Sequence, residues 1–268
     1  MKERLDKILT DKGYFETKSK AQASIMAGDV RVNGEKITKA GYMLEVKEDT
    51  IFEVSTMPFV SRGGFKLDKA VKEFELDLKD KICLDAGAST GGFTDCMLQN
   101  GAKLVYAVDV GYAQLAWKLR NDERVVVIEK TNIKNCKSEE IYKNTNDEKA
   151  QFASCDLSFI SLTKTLPNIK SLLREKDIEI VALIKPQFEA QREEVGKNGV
   201  VREKSTHIKI INNILNFISE QNLFPKALTY SPIKGPKGNI EYLIYLTDQK
   251  TQADINVEET VNSGFEKL

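Results

Sequence analysis

From residue 82 onward, short apolar runs alternate with amphipathic segments. The runs VVVIE at 125–129 and VALIK at 181–185 are apolar without alternation, which is typical of strands that helices cover on both faces. Between such runs, 115–120 and 208–217 have the character of helices. The pattern predicts an α/β domain with a doubly wound sheet and right-handed crossovers. The seven predicted strands are 82–86, 104–109, 125–129, 151–156, 179–185, 226–230 and 241–247.

The first 54 residues show a different pattern. Apolar residues at helical spacing mark 5–9 and 19–26, and strand-like segments follow at 30–35, 43–46 and 51–54. The dipeptide Asn33-Gly34 predicts a hairpin turn between two short strands. These residues are therefore predicted to form a small α+β module of their own.

The domain organisation follows from these two patterns. We predict a small domain at 1–54, a linker at 55–60 that contains Pro58, and a larger domain at 61–247. The last residues, 248–268, lack a clear strand or core pattern and are predicted to be a loose tail. The polar segment 134–149 is predicted to be an exposed helix and loop.

Composition narrows the class of protein. The 268 residues include 40 basic and 40 acidic ones, so overall charge gives no sign of nucleic-acid binding. No run approaches the roughly 18 apolar residues of a membrane helix, and we expect a cytoplasmic protein that contacts no membrane. The four cysteines show no metal-ligand spacing, and His207, the only histidine, is predicted to be a surface or cap residue. No metal is expected, and Trp117 is predicted to lie in the core.

One stretch organises the larger domain, ICLDAGASTGGFTD at 82–95. It is a predicted strand that ends at Asp85 and breaks into a turn before a helix. The turn is rich in glycine and small hydroxyl residues, namely Gly87, Ser89, Thr90, Gly91, Gly92 and Thr94. A small cofactor could lie across it, although such a turn can also be a plain β–α connection. Asp109 ends the next strand about 20 residues on, the offset at which an acid meets ribose hydroxyls in nucleotide sites.

Four charged residues complete the candidate site. Ligands of open α/β sheets bind beyond the carboxyl ends of the strands. Asp156 and Lys185 end two of the predicted strands, Glu241 begins the last one, and Lys66 lies at a predicted helix entrance. Taken singly, each also fits a structural role, such as a helix cap, a solvated lysine or an edge-strand charge. Together, beside the turn, they indicate a site.

Charge in the small module is modest. Residues 17–40 hold five basic residues against two acidic ones, and a cluster of that size is more often a solvated surface than a binding site.

Two sets of motifs nevertheless resemble known families. The sequence SKAQASIMAGDVRVNG resembles the small RNA-binding domain first named in ribosomal protein four of the small subunit. The motifs SRGGFKL, LDAGASTGGFTD, AVDVG, CDLSFIS, LIKPQFE and GNIEYL resemble, in order, those of the TlyA family, in which an FtsJ-like methyltransferase domain follows such a module. The resemblance covers essentially residues 1–247.

The resemblance implies a fold and an activity. It implies a Rossmann-like class I methyltransferase sheet of seven strands with the last antiparallel, S-adenosylmethionine as cofactor, and methyl transfer to a ribose 2′-hydroxyl of ribosomal RNA, with cytidine the expected nucleoside. Ribosomal RNA or ribosomal subunits are the implied partner. The implied catalytic tetrad is Lys66, Asp156, Lys185 and Glu241, and the implied RNA-binding residues are Arg4, Lys18, Lys20 and Arg31.

The chemistry agrees with these residue types. A ribose hydroxyl must lose its proton to attack a methyl group, and a lysine acts as base only when its pKa is lowered by burial or by a neighbouring cation. We expect Lys185 to be the base, Asp156 to align it, and Lys66 and Glu241 to position the hydroxyl. Cofactor contacts are expected from Asp85, Gly87, Ser89, Thr90, Gly91, Gly92, Phe93, Thr94, Asp109, Asn132 and Ile133.

Three alternatives stay open at this point. The chain could be an RNA-binding assembly factor with an inactive methyltransferase domain, which the intact tetrad argues against. It could be a membrane-active haemolysin, for which a suitable membrane-binding segment is missing from the sequence. It could also methylate a base or a protein, although that chemistry does not call for two lysines.

Overall fold

A computed structural model describes residues 2–54, 57–143 and 148–268. The chain separates into two compact units, Met1–Pro58 and Phe59–Leu268. Two residues of the predicted linker, Ser55 and Thr56, lie outside the described residues, as do 144–147. The predicted domain boundaries therefore stay a prediction.

The first unit is a small α+β fold. Its strands pair in two small sheets. One contains β1 (Glu3–Arg4) and β4 (Met43–Leu44), and in the other β2 (Val30–Val32) lies between β3 (Glu35–Ile37) and β5 (Phe52–Val54). The core includes Leu5, Leu9 and Ile25. Asn33 and Gly34 both have positive φ and turn the β2–β3 hairpin as predicted. The elements are β1 (Glu3–Arg4), α1 (Leu5–Asp11), α2 (Lys18–Ala27), β2 (Val30–Val32), β3 (Glu35–Ile37), β4 (Met43–Leu44) and β5 (Phe52–Val54).

The second unit is built on a seven-stranded sheet, as predicted. Its strands are β6 (Ile82–Ala86), β7 (Leu104–Val108), β8 (Val125–Ile128), β9 (Phe152–Cys155), β10 (Glu179–Ile184), β11 (Phe224–Tyr230) and β12 (Tyr242–Thr247). The order is β11-β12-β10-β9-β6-β7-β8. Strands β8, β7, β6, β9 and β10 run parallel, and β12 runs antiparallel to both neighbours. The carboxyl ends of the parallel strands thus share one edge with the start of β12.

Helices cover both faces of this sheet, which explains the continuous apolar runs. The helices are α3 (Gly63–Glu73), α4 (Gly92–Gln99), α5 (Trp117–Arg120), α6 (Ser138–Ile141), α7 (Leu166–Leu172), α8 (Pro186–Glu189), α9 (Lys204–Glu220) and α10 (Val257–Lys267). One core joins the sheet to α3, α4 and α5 through residues such as Leu67 and Met97. The other joins it to α7, α9 and α10 through residues such as Ile169, Ile214 and Val261. The doubly wound prediction is confirmed.

The predicted loose tail is wrong. Helix α10 begins after Asn256, whose side chain accepts a hydrogen bond from the Glu259 N–H at 3.1 Å. Val257, Val261 and Gly264 lie on one helical face and are buried in the second unit. Three small or β-branched residues make a weak hydrophobic pattern, and for that reason the sequence did not reveal this helix.

Two single-residue predictions are also wrong. His207 is fully buried: its Nδ1 lies 2.7 Å from Tyr242 Oη and its Nε2 lies 3.1 Å from the Val201 carbonyl oxygen. It stands at helical spacing from Ile210, Ile211 and Ile214 on the inner face of α9, which begins four residues before the predicted start. Trp117, predicted in the core, is 77% exposed because Leu119 occupies the buried side of the short helix α5.

The polar segment 134–149 is only partly as predicted. It holds the short helix α6, but Cys136, Ile141 and Tyr142 are buried. In the described parts of the chain, no helix combines the length and apolar character needed to cross a membrane.

Candidate active site

The glycine turn, residues 87–92, connects β6 to α4. Gly87 has a φ of +90°, and a Cβ there would lie 2.8 Å from the Asp156 carbonyl oxygen. Only glycine fits this backbone conformation and this close approach without strain. The turn is thereby held against the segment that follows β9.

Asp85 lies beneath the glycine turn. It is fully buried, and its carboxylate accepts hydrogen bonds from Thr94 Oγ1 at 2.6 Å and Ser154 Oγ at 2.9 Å. Burial raises the pKa of Asp85 to about 6. Asp85 therefore ties the start of α4 to β9, and neither its side chain nor that of the equally buried Thr94 lines either cavity described below. Gly91 is buried, and a Cβ there would meet Leu119 and Leu115. Cofactor contact by these three residues stays a prediction.

Asp109 organises the other side of the turn. Its carboxylate accepts the Ser89 N–H at 2.8 Å and the Gly111 N–H at 2.6 Å. It lines a cavity of about 510 Å³ together with Asn132 and Ile133, the other two residues that the sequence assigns to the nucleoside, and that assignment stays a prediction. We call this space the Asp109 cavity.

The four charged residues predicted for catalysis lie together at the carboxyl edge of the sheet. Lys66 is on α3, Asp156 and Lys185 follow β9 and β10, and Glu241 precedes β12. Lys185 Nζ forms an ion pair with Asp156 Oδ1. Lys66 Nζ lies 3.5 Å from Asp156 Oδ2 and 2.7 Å from Glu241 Oε2. Asp156 thus bridges the two lysines, and Glu241 pairs with Lys66.

Burial strengthens these charge interactions. The side chains of Lys66, Lys185 and Glu241 are only 9%, 8% and 1% exposed. Burial disfavours the charged Lys66, but Asp156 and Glu241 outweigh it and raise the pKa of Lys66 above its ordinary value. Burial likewise disfavours the charged Asp156, but Lys185 and Lys66 outweigh it and lower the pKa of Asp156. Two cations and two anions thereby form one balanced network.

The network lies in a second cavity of about 490 Å³, which we call the tetrad cavity. Of the residues predicted to hold cofactor, it is also lined by Gly87, Ser89, Thr90, Gly92 and Phe93. Gly87, Ser89 and Asp156 line both cavities. The glycine turn therefore stands between a space that contains the tetrad and a space that contains Asp109.

Other residues that line the tetrad cavity were missed by the sequence analysis. Ser158 Oγ accepts a hydrogen bond from Lys185 Nζ at 3.1 Å. Gln187 Nε2 donates to Glu241 Oε1 at 3.0 Å. Phe159 is 88% exposed and lies 5.2 Å from the ring of Phe188. The motifs CDLSFIS and LIKPQFE contain all of them, so a reading of every polar position in those motifs would have found Ser158 and Gln187.

Gly235 lines the tetrad cavity beside Glu241. A Cβ on Gly235 would lie 2.6 Å from Glu241 Oε1. The loop that contains it therefore packs directly on the network.

The four predicted RNA-binding residues are all exposed on the first unit. Arg4 donates to the buried Asp6 through Nε at 3.0 Å and Nη2 at 2.7 Å, and this pairing lowers the pKa of Asp6 to about 2. Lys20 pairs with Glu16, and Arg31 Nη1 donates to the Gly34 carbonyl oxygen at 3.0 Å. Lys18 is the remaining exposed cation of this set.

Across residues 2–54, 57–143 and 148–268, no three His, Cys, Asp or Glu side chains are arranged to hold a metal ion.

Comparison with known families and relatives gives consistent matches. Residues 59–247 match the family of FtsJ-like methyltransferases, and residues 3–51 match the S4 domain. The chain is 48% identical over 245 residues to a putative rRNA methyltransferase, YqxC, of Bacillus subtilis, which covers 91% of this chain and 85% of the relative. It is 38% identical to the 16S/23S rRNA (cytidine-2′-O)-methyltransferase TlyA of Mycobacterium tuberculosis, over 93% of this chain and 91% of the relative.

Among solved structures, a putative hemolysin from Streptococcus thermophilus is similar along nearly its whole length. The TM-score is 0.74 at 43% identity, and the match covers 99% of this chain and 96% of that chain.

Proposed function

This chain belongs to the TlyA family of FtsJ-like methyltransferases with an N-terminal S4 domain, and from that premise we propose that it methylates a ribose 2′-hydroxyl of ribosomal RNA with S-adenosylmethionine. The target nucleoside in the proposal is cytidine, within the RNA of a ribosomal subunit in the cytoplasm. The observation that carries the proposal is the buried network of Lys66, Asp156, Lys185 and Glu241 beside the glycine turn.

The residues at the glycine turn fit S-adenosylmethionine. The bare backbone at Gly87 leaves room that a Cβ would fill, and the exposed Ser89 and Thr90 offer polar groups to an amino acid moiety. Asp109 can accept ribose hydroxyls in its cavity, where Asn132 and Ile133 would flank the adenine. The bound cofactor would supply an electrophilic methyl group on its sulfonium.

The chain's own residues would then handle the proton. Lys185 is paired with Asp156 as an ammonium in this structure, so in the proposed reaction it first gives up one proton to solvent. Its Nζ then accepts the proton of the 2′-hydroxyl. Asp156 stabilises the ammonium that forms, because one of its oxygens already pairs with Lys185. Lys66, held by Glu241 at 2.7 Å, presents positive charge to the oxygen as it loses its proton.

RNA binding is assigned in the same proposal to the first unit. Arg4, Lys18, Lys20 and Arg31 expose cations that would contact phosphates, which position an RNA without reading its sequence.

The test is transfer of radiolabelled methyl groups from S-adenosylmethionine to ribosomal subunits of a strain that lacks this gene. Alkali cleaves RNA through the free 2′-hydroxyl, so a 2′-O-methyl group leaves the label in an alkali-resistant dinucleotide. We expect such dinucleotides from wild type and from Lys209→Ala, whose side chain is exposed and pairs with Glu194 at the surface. We expect none from Lys185→Ala.

Three other results would favour the alternatives. Label that alkali releases as mononucleotides would mean methylation of a base. Cofactor binding without transfer to either subunit or to free RNA would favour the assembly-factor alternative. Release of dye from liposomes by the pure protein would favour the haemolysin alternative.

A further inference from the structure

Gln187 extends the charged network by one residue. It follows Lys185 by two positions, on the short helix α8, and lines the tetrad cavity. Its Nε2 donates to Glu241 Oε1 at 3.0 Å, while the other oxygen of Glu241 accepts from Lys66 at 2.7 Å. Glu241 is thus held from both sides.

This contact fixes the orientation of the Gln187 amide. An ionised carboxylate only accepts hydrogen bonds, so the amide nitrogen must face Glu241 and the amide oxygen must face away from it. The hydrogen bond therefore assigns the amide nitrogen and oxygen of Gln187, which are often hard to tell apart in other glutamines.

The amide oxygen has no partner. Gln187 Oε1 is buried, and among the described residues it accepts no hydrogen bond; the only other such side-chain atom in that part of the chain is Arg174 Nε. Buried acceptors without a partner are uncommon in folded proteins, because their contact with water is lost without replacement. Because Gln187 lines the tetrad cavity, a donor that enters this cavity can supply the missing hydrogen bond.

We propose that Gln187 contacts the substrate, with Oε1 accepting a hydrogen bond from the target nucleotide. The inference rests on the proposed function and deepens it. We assign the donor to the nucleotide rather than to the cofactor because Gln187 follows the proposed base, Lys185, by two positions and is hydrogen-bonded to Glu241 of the tetrad. The cofactor residues that share this cavity lie on the glycine turn instead.

Two donors on the target nucleotide share the required chemistry. One is the ribose 2′-hydroxyl, which Gln187 would orient before its proton leaves. The other is the exocyclic amine of cytosine, where uracil carries a carbonyl acceptor instead. A site with a buried acceptor rejects a substrate that lacks the matching donor, because the acceptor is then left unpaired.

A competing view is that Gln187 only positions Glu241. Both views predict slower methylation by Gln187→Leu, so rate alone does not separate them. They differ in selectivity. Loss of support for Glu241 slows all substrates by the same factor, whereas loss of a substrate contact removes the discrimination between substrates that have the donor and those that lack it.

The experiment uses the full-length protein and ribosomal RNA fragments centred on the nucleotide that wild type methylates. The fragments carry cytidine, uridine or 2′-deoxycytidine at that position. Methyl transfer gives kcat/KM for the first two, and binding gives Kd for the ribose and deoxyribose forms. The control is Gln249→Leu, since Gln249 also donates to a carboxylate, Asp177 Oδ1 at 2.8 Å, but at an exposed position.

We expect wild type and Gln249→Leu to show at least one preference of about 10-fold or more. The preference is either in kcat/KM for cytidine over uridine or in Kd for ribose over deoxyribose. Gln187→Leu should reduce the cytidine-to-uridine ratio to near one if the donor is the amine, or lower the ribose-to-deoxyribose ratio at least about fivefold if it is the hydroxyl, which the lysines of the tetrad also contact. Affinity for S-adenosylmethionine should stay within about twofold of wild type. Loss of the cytidine preference identifies the amine, and loss of the ribose preference in Kd identifies the hydroxyl.

Two results would overturn the inference but leave the proposed function standing. In the first, Gln187→Leu slows methylation of the cytidine and uridine fragments equally and keeps the ribose preference in Kd. In the second, wild type itself prefers neither cytidine over uridine nor ribose over deoxyribose. If wild type methylates no RNA, the proposed function fails and the inference fails with it.

Discussion

Replacement of Asp156 by asparagine tests the charge balance of the tetrad. The substitution keeps the size of the side chain but removes the negative charge that Lys66 and Lys185 share. Both lysines are less than a tenth exposed, which leaves Glu241 as the only acid of the tetrad for two buried cations. Removal of one partner from a buried ion pair typically costs about 3–5 kcal/mol. Because asparagine keeps one acceptor oxygen, we expect the free energy of unfolding to fall by about 3 kcal/mol.

The pH dependence of this loss has a defined sign. Burial disfavours the charged Asp156, but Lys185 and Lys66 outweigh burial and lower its pKa in the folded state. The contribution of Asp156 to stability is therefore complete above its ordinary pKa of about 3.9 and is lost as pH falls through the folded-state pKa. The pKa of Lys66 is raised, so its contribution is complete below about 10.4 and is lost as pH rises through the folded-state value. The difference between wild type and Asp156→Asn should therefore stay constant from about pH 5 to pH 9.

Urea denaturation followed by circular dichroism measures this difference. Tryptophan fluorescence is unsuitable, because the single tryptophan, Trp117, is 77% exposed when the protein is folded. The matched control is Asp122→Asn, which breaks an ion pair with Arg124 at 2.8 Å on the surface and should cost at most about 1 kcal/mol. Methyl transfer by Asp156→Asn should fall at least about 100-fold. Equal stability and equal activity of Asp156→Asn and Asp122→Asn would refute the charge-balance argument.

Three further predictions concern the turn, the buried histidine and the last helix. Gly87→Ala should weaken S-adenosylmethionine binding at least about 10-fold in calorimetry, because its Cβ would meet the Asp156 carbonyl oxygen at 2.8 Å; unchanged affinity would contradict the placement of the cofactor. Burial lowers the pKa of His207, so its contribution to stability is complete above about pH 6.5 and is lost as pH falls through the folded-state value. His207→Gln should flatten the pH dependence of unfolding between pH 7 and 5, and an identical slope in both proteins would count against this. Val261→Asp should destabilise the second unit by about 3 kcal/mol or more through an unpaired buried charge, whereas a loose tail would leave the unfolding midpoint in urea unchanged.

The comparison of His207→Gln with wild type is needed because another buried group titrates in the same range. The pKa of Asp85 is raised to about 6 by burial. A raised folded-state pKa of a carboxyl group makes the fold more stable as pH falls below that value, which is opposite in sign to the effect of His207. The difference between the two proteins isolates the histidine.

The sheet was predictable because its signals are local and repeated. Seven short strand-like runs recur along the larger domain, and the observed strands lie within about two residues of the predicted ones. The carboxyl-edge rule then placed Asp156, Lys185 and Glu241 together, and the structure brings them together with Lys66.

The missed features depend on contacts that sequence spacing does not encode. Asp85 accepts hydrogen bonds from Thr94 and Ser154, and the sequence does not show the second contact because Ser154 lies on another strand. Helix α10 has too few large apolar residues to stand out, although Val257 and Val261 pack against the sheet layer. His207 was predicted as a surface or cap residue because the predicted helix began at residue 208, whereas α9 begins at Lys204 and includes His207. Trp117 lies in a helix as predicted, but Leu119 occupies the buried side of that short helix.

The most direct test of the central claim is a single-turnover measurement of methyl transfer to the ribosomal substrate with saturating S-adenosylmethionine. Mass spectrometry of the nucleosides identifies the product, and the rate is compared for wild type, Lys185→Ala and Lys209→Ala. We predict a 2′-O-methylated nucleoside whose formation slows at least about 100-fold in Lys185→Ala and keeps the wild-type rate in Lys209→Ala. A 2′-O-methyl product formed by Lys185→Ala at the wild-type rate would contradict it.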